Sequence, residues 1–139
     1  MLIDKEAIQN YIPQRAPFVM VDALVSATAE GFQSEYTIPE EHPLLNDDFS
    51  LAESAMVENL AQTCAAGFGF LNHSEGGEPK LGFIGAVSRL ETFRLPKVND
   101  KLETTISVIS AFEAINLVEG SIFHKGEELL RCQLKIVIA

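Results

Sequence analysis

Hydrophobic and polar positions change their spacing several times along the chain, and each change predicts an element. Residues 4–11, DKEAIQNY, predict a short helix opened by Asp4 and ended by Pro13. The run FVMVDALVSATAEGFQSEYTI, Phe18 to Ile38, is rich in β-branched and aromatic residues and is broken once, at Ala29-Glu30-Gly31, so it predicts a hairpin. Residues 39–48, PEEHPLLNDD, hold too many breakers for regular structure and predict a loop. Ser50-Leu51-Ala52-Glu53 has the spacing of a capping box, in which Ser and Glu satisfy free backbone N–H groups reciprocally, and predicts a helix from Ser50 to about Phe70. Ala52, Ala55, Ala61, Ala65, Ala66 and Gly67 fill its interior, and a nearly uncharged helix of this length is expected to be buried on nearly all sides. Gly67 and Gly69 weaken its last turns by up to about 1 kcal/mol each, which close approach of another element would explain.

After a turn-rich connection, His73 to Pro79, the pattern becomes that of four strands: LGFIGAVSRLETFRL, KLETTISVISAF, INLVEGSIFHK and ELLRCQLKIVIA. Lys125-Gly126-Glu127 predicts the turn between the last two. Short links favour antiparallel pairing. The expected architecture is one α+β domain over residues 1–139, an antiparallel sheet wrapped around a single long central helix.

Within Ser54 to His73 the only charged residue is Glu58. Burying an unpaired carboxylate costs several kcal/mol, so Glu58 must find a cation, take up a proton or face a cavity. Between Arg15 and Lys80 the chain has no Lys or Arg but eleven Asp and Glu, which excludes a local ion pair. Desolvation and like charge would both raise the pKa of such a carboxyl toward the range useful for acid/base work. The plainer alternative places Glu58 at the helix surface or against a buried polar neighbour.

Composition narrows the function classes. With 139 residues and 47% hydrophobic content, the chain suits one core; Trp is absent and nine Phe supply much of the bulk. No run of about eighteen apolar residues supports a membrane span, and MLIDKEAIQN lacks a signal-peptide core. Cys64 and Cys132 form neither a disulfide framework nor a metal spacing, consistent with a reducing cytoplasm and no metal cofactor. A net charge of −10 argues against nucleic-acid binding. Five of the ten cations, Lys80, Arg89, Arg94, Lys97 and Lys101, nevertheless fall between residues 80 and 101, either as a solvated strand face or as a dock for an acidic partner.

Three segments in register resemble the hot-dog-fold 3-hydroxyacyl-ACP dehydratases of type II fatty acid synthesis. Ile12-Pro13-Gln14-Arg15-Ala16-Pro17-Phe18-Val19-Met20-Val21-Asp22 is similar to the family's LPHRxPFLLVD. Glu58-Asn59-Leu60-Ala61-Gln62 is similar to its EAxAQ, and Phe83-Ile84-Gly85, Arg94-Leu95-Pro96 and Asn99-Asp100 to its FLxG and RxPVxPGD. Gln62, one turn beyond Glu58 on the same face, can orient its carboxyl, and Asn59 can hydrogen-bond across the helix pair or to substrate. The resemblance implies a catalytic acid at Glu58 and substrate-binding or orienting roles for Phe83 and Gly85. It implies that Arg89, Arg94 and Lys97 meet an acidic acyl carrier protein. It also implies a homodimer or larger even oligomer, or a heterodimer with a second dehydratase.

The family's loop histidine does not carry over. Pro43-Leu44-Leu45-Asn46-Asp47-Asp48-Phe49 puts Asp48 in its place, and Glu53 falls near the family glycine whose N–H polarises the thioester carbonyl. An altered loop of this kind also occurs in a variant group from polyene-pigment gene clusters. His42 is the best remaining imidazole and a candidate base, with a strand-end role as the alternative. The helix N-terminus near Ala52 to Ala55 offers donors for an enolate oxygen. Two other activities fit the sequence: an acyl-thioester hydrolase using Glu58 alone, or a degenerate subunit that completes a dehydratase partner.

Overall fold

In a computed structural model, residues 1–74 and 82–138 are described, except for the side chains of Ser74 and Phe83. Six strands form one antiparallel sheet: β1 (Ala23–Thr28), β2 (Gly31–Thr37), β3 (Gly82–Thr92), β4 (Lys101–Phe112), β5 (Ile115–His124) and β6 (Glu127–Ile138), in the order β1-β2-β4-β5-β6-β3. The helix α1 (Glu53–Ser74) packs against all six strands. This is the hot-dog arrangement that the resemblance implied.

Alternation drives the wrapping. On β4, Leu102, Thr104 and Ile106 point inward, and on β5 so do Asn116, Val118, Gly120 and Ile122. These rows meet Met56, Leu60 and Cys64 of α1 in the core. Between β5 and β6, Lys125 (φ 50°) and Gly126 (φ +81°) form the tight left-handed turn that the sequence predicts. The β1–β2 hairpin likewise turns over Ala29 and Glu30.

The expected capping box does not form. Asp48 accepts the Ser50 backbone N–H at 3.1 Å and its hydroxyl at 2.6 Å, and Ser50 instead bridges to Lys97, so α1 begins at Glu53. A side chain engaged with the preceding loop has no reach left for the helix's free donors. The helix also runs past Phe70 to Ser74, absorbing the first two residues of the expected connection. Of that connection, residues 75–79 lie outside the described residues. Near Asp4 the predicted short helix is reduced to a 3-10 turn, Ile8–Asn10, although the Asp4 carboxylate does accept the Ala7 N–H at 3.0 Å.

The two helix glycines are places of close approach. A Cβ at Gly67 would fall 2.3 Å from the Phe32 ring, and one at Gly69 would fall 2.9 Å from the Tyr11 carbonyl oxygen. β3 forms one edge of the sheet, and its residues 84–92 are all exposed, among them Ile84, Val87 and Leu90. Among the described residues no helix is long and apolar enough to cross a membrane.

Candidate active site

One face of α1 borders a cavity. Glu58, Ala61, Ala65, Phe68, Gly69 and Asn72 recur at helical spacing and line a cavity of about 640 Å³. β3 contributes Gly82 and Ile84, β5 contributes Asn116, and β6 contributes Ile136 and Ile138. Leu71, Gln14, and Glu113 and Ala114 of the β4–β5 turn also line it. Small residues on the helix leave this space, and its size is that of a small-molecule site.

Glu58 is therefore half-buried against a cavity. Of the three solutions open to a carboxylate in this helix, it takes the one that keeps access to solvent or ligand. Among the described residues it makes no ion pair. Gln62, one turn along, donates from Nε2 to Glu58 Oε1 at 3.1 Å. The same Nε2 donates to the Phe18 carbonyl at 2.9 Å, and Gln62 Oε1 accepts the Met20 N–H at 2.6 Å. A backbone N–H can only donate, so it fixes the carboxamide with its oxygen toward Met20 and its nitrogen toward Glu58. The 18–20 segment thus sets the orientation of the acid through Gln62.

Asn59 is placed differently from the expectation that it binds substrate. It is fully buried; its Nδ2 donates to the Met20 carbonyl at 2.7 Å, and its Oδ1 accepts the Thr104 hydroxyl at 2.6 Å. It ties α1 to the 18–20 segment and to β4, which leaves its side chain no contact with the cavity.

His42 is not brought to Glu58 within the chain. It is 6% exposed and lines a separate recess of about 280 Å³ beside Pro17 and Tyr36. Its Nδ1 accepts the Leu44 N–H at 3.0 Å, which puts the proton on Nε2, 2.8 Å from Met20 Sδ. Burial lowers its pKa and keeps it neutral. Within the chain, the lone pair a base needs is committed to the loop backbone.

Asp48, which the resemblance sets against the family's loop histidine, is an exposed carboxylate held below its ordinary pKa by the Ser50 hydroxyl and N–H. Glu53 accepts the Thr92 hydroxyl. At the helix start, the Ala52 N–H is used by the Leu44 carbonyl and the Ala55 N–H by the Ala52 carbonyl. None of residues 52–55 lines the cavity, so the donors expected for an enolate oxygen are not placed there.

In β3, Gly85 sits at a register shift between Ile84 and Ala86. Phe83 pairs through its backbone with Val137; its side chain lies outside the described residues. Arg89 occupies a second bulge with φ 52° and is exposed, as is Lys97. Arg94 is ion-paired with Glu127 at 3.0 Å, which raises its pKa, and Lys101 with Glu35 at 3.3 Å. Lys80 lies outside the described residues. Among these cations, Arg89 and Lys97 are the described ones without an ion pair.

Sequence reading missed Gln14, Glu113 and Asn116 as cavity residues. For Asn116 a signal existed: it is the polar member of an inward row that otherwise reads Val118, Gly120, Ile122.

Comparison with known proteins gives this geometry a context. The chain is 25% identical over 143 residues to the 3-hydroxyacyl-[acyl-carrier-protein] dehydratase FabZ of Oceanobacillus iheyensis, covering 99% of each. Its fold matches a chain of the dehydratase heterocomplex ApeI:P from Xenorhabdus doucetiae with a TM-score of 0.88 at 18% identity, over 95% of this chain and 90% of that one. A hypothetical thioesterase from Streptococcus pneumoniae TIGR4, solved with coenzyme A, shares the fold at a TM-score of 0.65 and 9% identity, over 84% of each chain. The family model of the ApeP-like group, described as ApeP dehydratase, matches residues 6–139. With nearly its whole length matched, the chain belongs to the ApeP-like dehydratase family.

Proposed function

We propose that this protein is the acid-bearing subunit of a dehydratase that removes water from 3-hydroxyacyl thioesters. One observation carries the reading: Glu58 is aimed by Gln62 at a cavity of acyl-chain dimensions, and none of the chain's three histidines lines that cavity. In the reaction the Cα–H and C3–O bonds break and a C2–C3 double bond forms. Glu58 acts as the general acid toward the departing hydroxyl, which leaves as water. Removal of the α-proton needs a base from elsewhere, and a second subunit bearing a loop histidine supplies it across the open side of the cavity. The exposed edge strand β3, with Ile84, Val87 and Leu90, is the surface on which that subunit would seat. The similar Xenorhabdus doucetiae chain belongs to a dehydratase heterocomplex, which supports a two-subunit arrangement.

Delivery by an acyl carrier protein is supported by the FabZ relative and by the exposed Arg89 and Lys97, which suit an acidic partner. Cys64 and Cys132 are unpaired and buried, which suits the cytoplasm. The test is to co-produce the chain with a hot-dog dehydratase subunit that retains its loop histidine. Glu58→Gln in this chain should lower water elimination by at least about 100-fold, the usual contribution of a general acid, with the unfolding midpoint unchanged. Full activity in that variant would remove Glu58 from the chemistry.

A carboxylate facing a cavity without an imidazole also suits an acyl-thioester hydrolase, in which Glu58 activates water. Thioesterases among the structural neighbours fit this second reading. Release of free thiol from thioesters lacking a 3-hydroxyl would favour it.

A further inference from the structure

Residues 18–20 belong to no strand or helix, so no ladder holds the backbone that aims Gln62. Side chains of α1 hold it instead. The Phe18 carbonyl and the Met20 N–H both go to Gln62, at 2.9 Å and 2.6 Å, and the Met20 carbonyl accepts from Asn59 Nδ2 at 2.7 Å. Asn59 and Gln62 stand three residues apart, on one face of the helix. Gln62 can keep Glu58 in one orientation only while Met20 stays in place, and Asn59 keeps it there.

Asn59 must itself be held. A backbone carbonyl only accepts, so Nδ2 faces Met20, Oδ1 faces β4, and the Thr104 hydroxyl donates to Oδ1 at 2.6 Å. Asn59 is fully buried, and among the described residues no other group donates to Oδ1. Thr104 is buried too, and it lies opposite Ser34 of β2 and Ile122 of β5, inside the sheet rather than at an edge. Apolar side chains would fill this part of the core without desolvating an amide and a hydroxyl; a satisfied polar pair fixes a single arrangement. An unbroken series of contacts thus runs from the middle of the sheet to the acid: Thr104, Asn59, Met20, Gln62, Glu58.

The series also selects an oxygen. An amide N–H can only donate, so the Gln62 bond at 3.1 Å marks Glu58 Oε1 as an acceptor, and a proton that Glu58 passes on is carried by Oε2. A Gln62 carboxamide released from Met20 could turn its own oxygen toward Glu58 and remove that choice. We propose that Thr104 is a positioning residue for the general acid: through Asn59 and Met20 it holds Gln62, and through Gln62 it keeps the transferable proton on Glu58 Oε2. This rests on Glu58 acting as the acid of the proposed dehydratase.

Thr104→Val removes the hydroxyl at nearly constant shape, and Thr104→Ser keeps it. In the assembly with a histidine-bearing subunit, Thr104→Val should lower kcat for water elimination about tenfold with KM within about twofold of wild type. The loss should be smaller than that of Glu58→Gln, because the acid is still present. Thr104→Ser should restore kcat to within about twofold. In a Gln62→Met background Thr104→Val should have no further effect, since the contact it acts through is already cut. A hydroxyl that only stabilised the core would lower kcat by the same factor in both backgrounds. If Thr104→Val does not fold, the double variant Asn59→Leu, Thr104→Val, which leaves no amide unpaired, should show the same loss of kcat.

Solvent exchange of the Met20 amide and the Gln62 carboxamide protons, followed by NMR with this chain labelled in the assembly, reads the same link without turnover. Thr104→Val should speed both about tenfold more than it speeds the amides of Val118 and Leu134 in the sheet. An unchanged kcat, equal losses with and without Gln62, or Met20 and Gln62 protons that gain no more than the sheet would overturn the proposal. A wild-type assembly that eliminates no water would instead count against the dehydratase reading, and the exchange result would then decide alone whether Thr104 holds Gln62 against Glu58.

Discussion

Residue by residue, hydrogen bonding decides which polar groups are free to act. Gln62 engages the backbone of the 18–20 segment with one end and Glu58 with the other, so the acid is presented in one orientation. Asn59 has both ends tied to structure, and His42 has both ring nitrogens occupied. The neutral state of His42 has a measurable consequence. Its pKa in the folded protein lies below the ordinary value of 6.5, so the unfolded chain binds the extra proton first. The associated stability is complete above about pH 6.5 and falls as pH drops below it, by at most ~1.4 kcal/mol per pH unit for one proton. Denaturant unfolding followed from about pH 8 down to about pH 5 should show this decline in the wild type and lose it in His42→Gln. Asp48 acts in the opposite sense and in a lower window. Its depressed pKa adds stability above its ordinary 3.8 that is lost as pH falls further.

Between elements, α1 and the sheet are fitted to each other through a few missing side chains. Gly67 admits the Phe32 ring, which also packs edge-on to Phe68 at a centroid distance of 4.9 Å. Gly67→Ala puts a methyl 2.3 Å from that ring, and the gain in helix propensity does not offset the clash. Thermal or denaturant unfolding should show a loss of about 1–3 kcal/mol. An unchanged or raised midpoint would mean that Phe32 moves aside without cost. The strands, both tight turns and the long helix were legible because alternation, turn chemistry and an uncharged run are local signals. The helix start was not, because Ser50 satisfies the capping pattern on paper while Asp48, two residues earlier, claims its hydroxyl.

Across the molecule as a whole, the site adjoins the chain's apolar edge. β3 has no neighbour on its outer side among the described strands, and Ile84 belongs both to that edge and to the cavity lining. The conspicuous position of Glu58 was legible in the sequence because a lone carboxylate in an apolar helix stands out at any level of detail. That His42 lines a different recess was not, because sequence separation places two residues on neighbouring elements without saying which way a ring turns. Asn116 escaped for a related reason: a polar residue in an inward strand position matters only once the helix opposite is seen to leave a cavity.

Product analysis is the decisive measurement for the chemistry assigned to Glu58. The assembly containing this chain would be incubated with a 3-hydroxyacyl thioester and the products separated by mass spectrometry. Acid catalysis by Glu58 predicts a 2-enoyl thioester, about 18 mass units lighter from the loss of one water, with the thioester bond intact and the product absent when Glu58 is replaced by Gln. Free thiol appearing with a carboxylic acid, or enoyl thioester forming at the wild-type rate without the Glu58 carboxyl, would contradict that assignment.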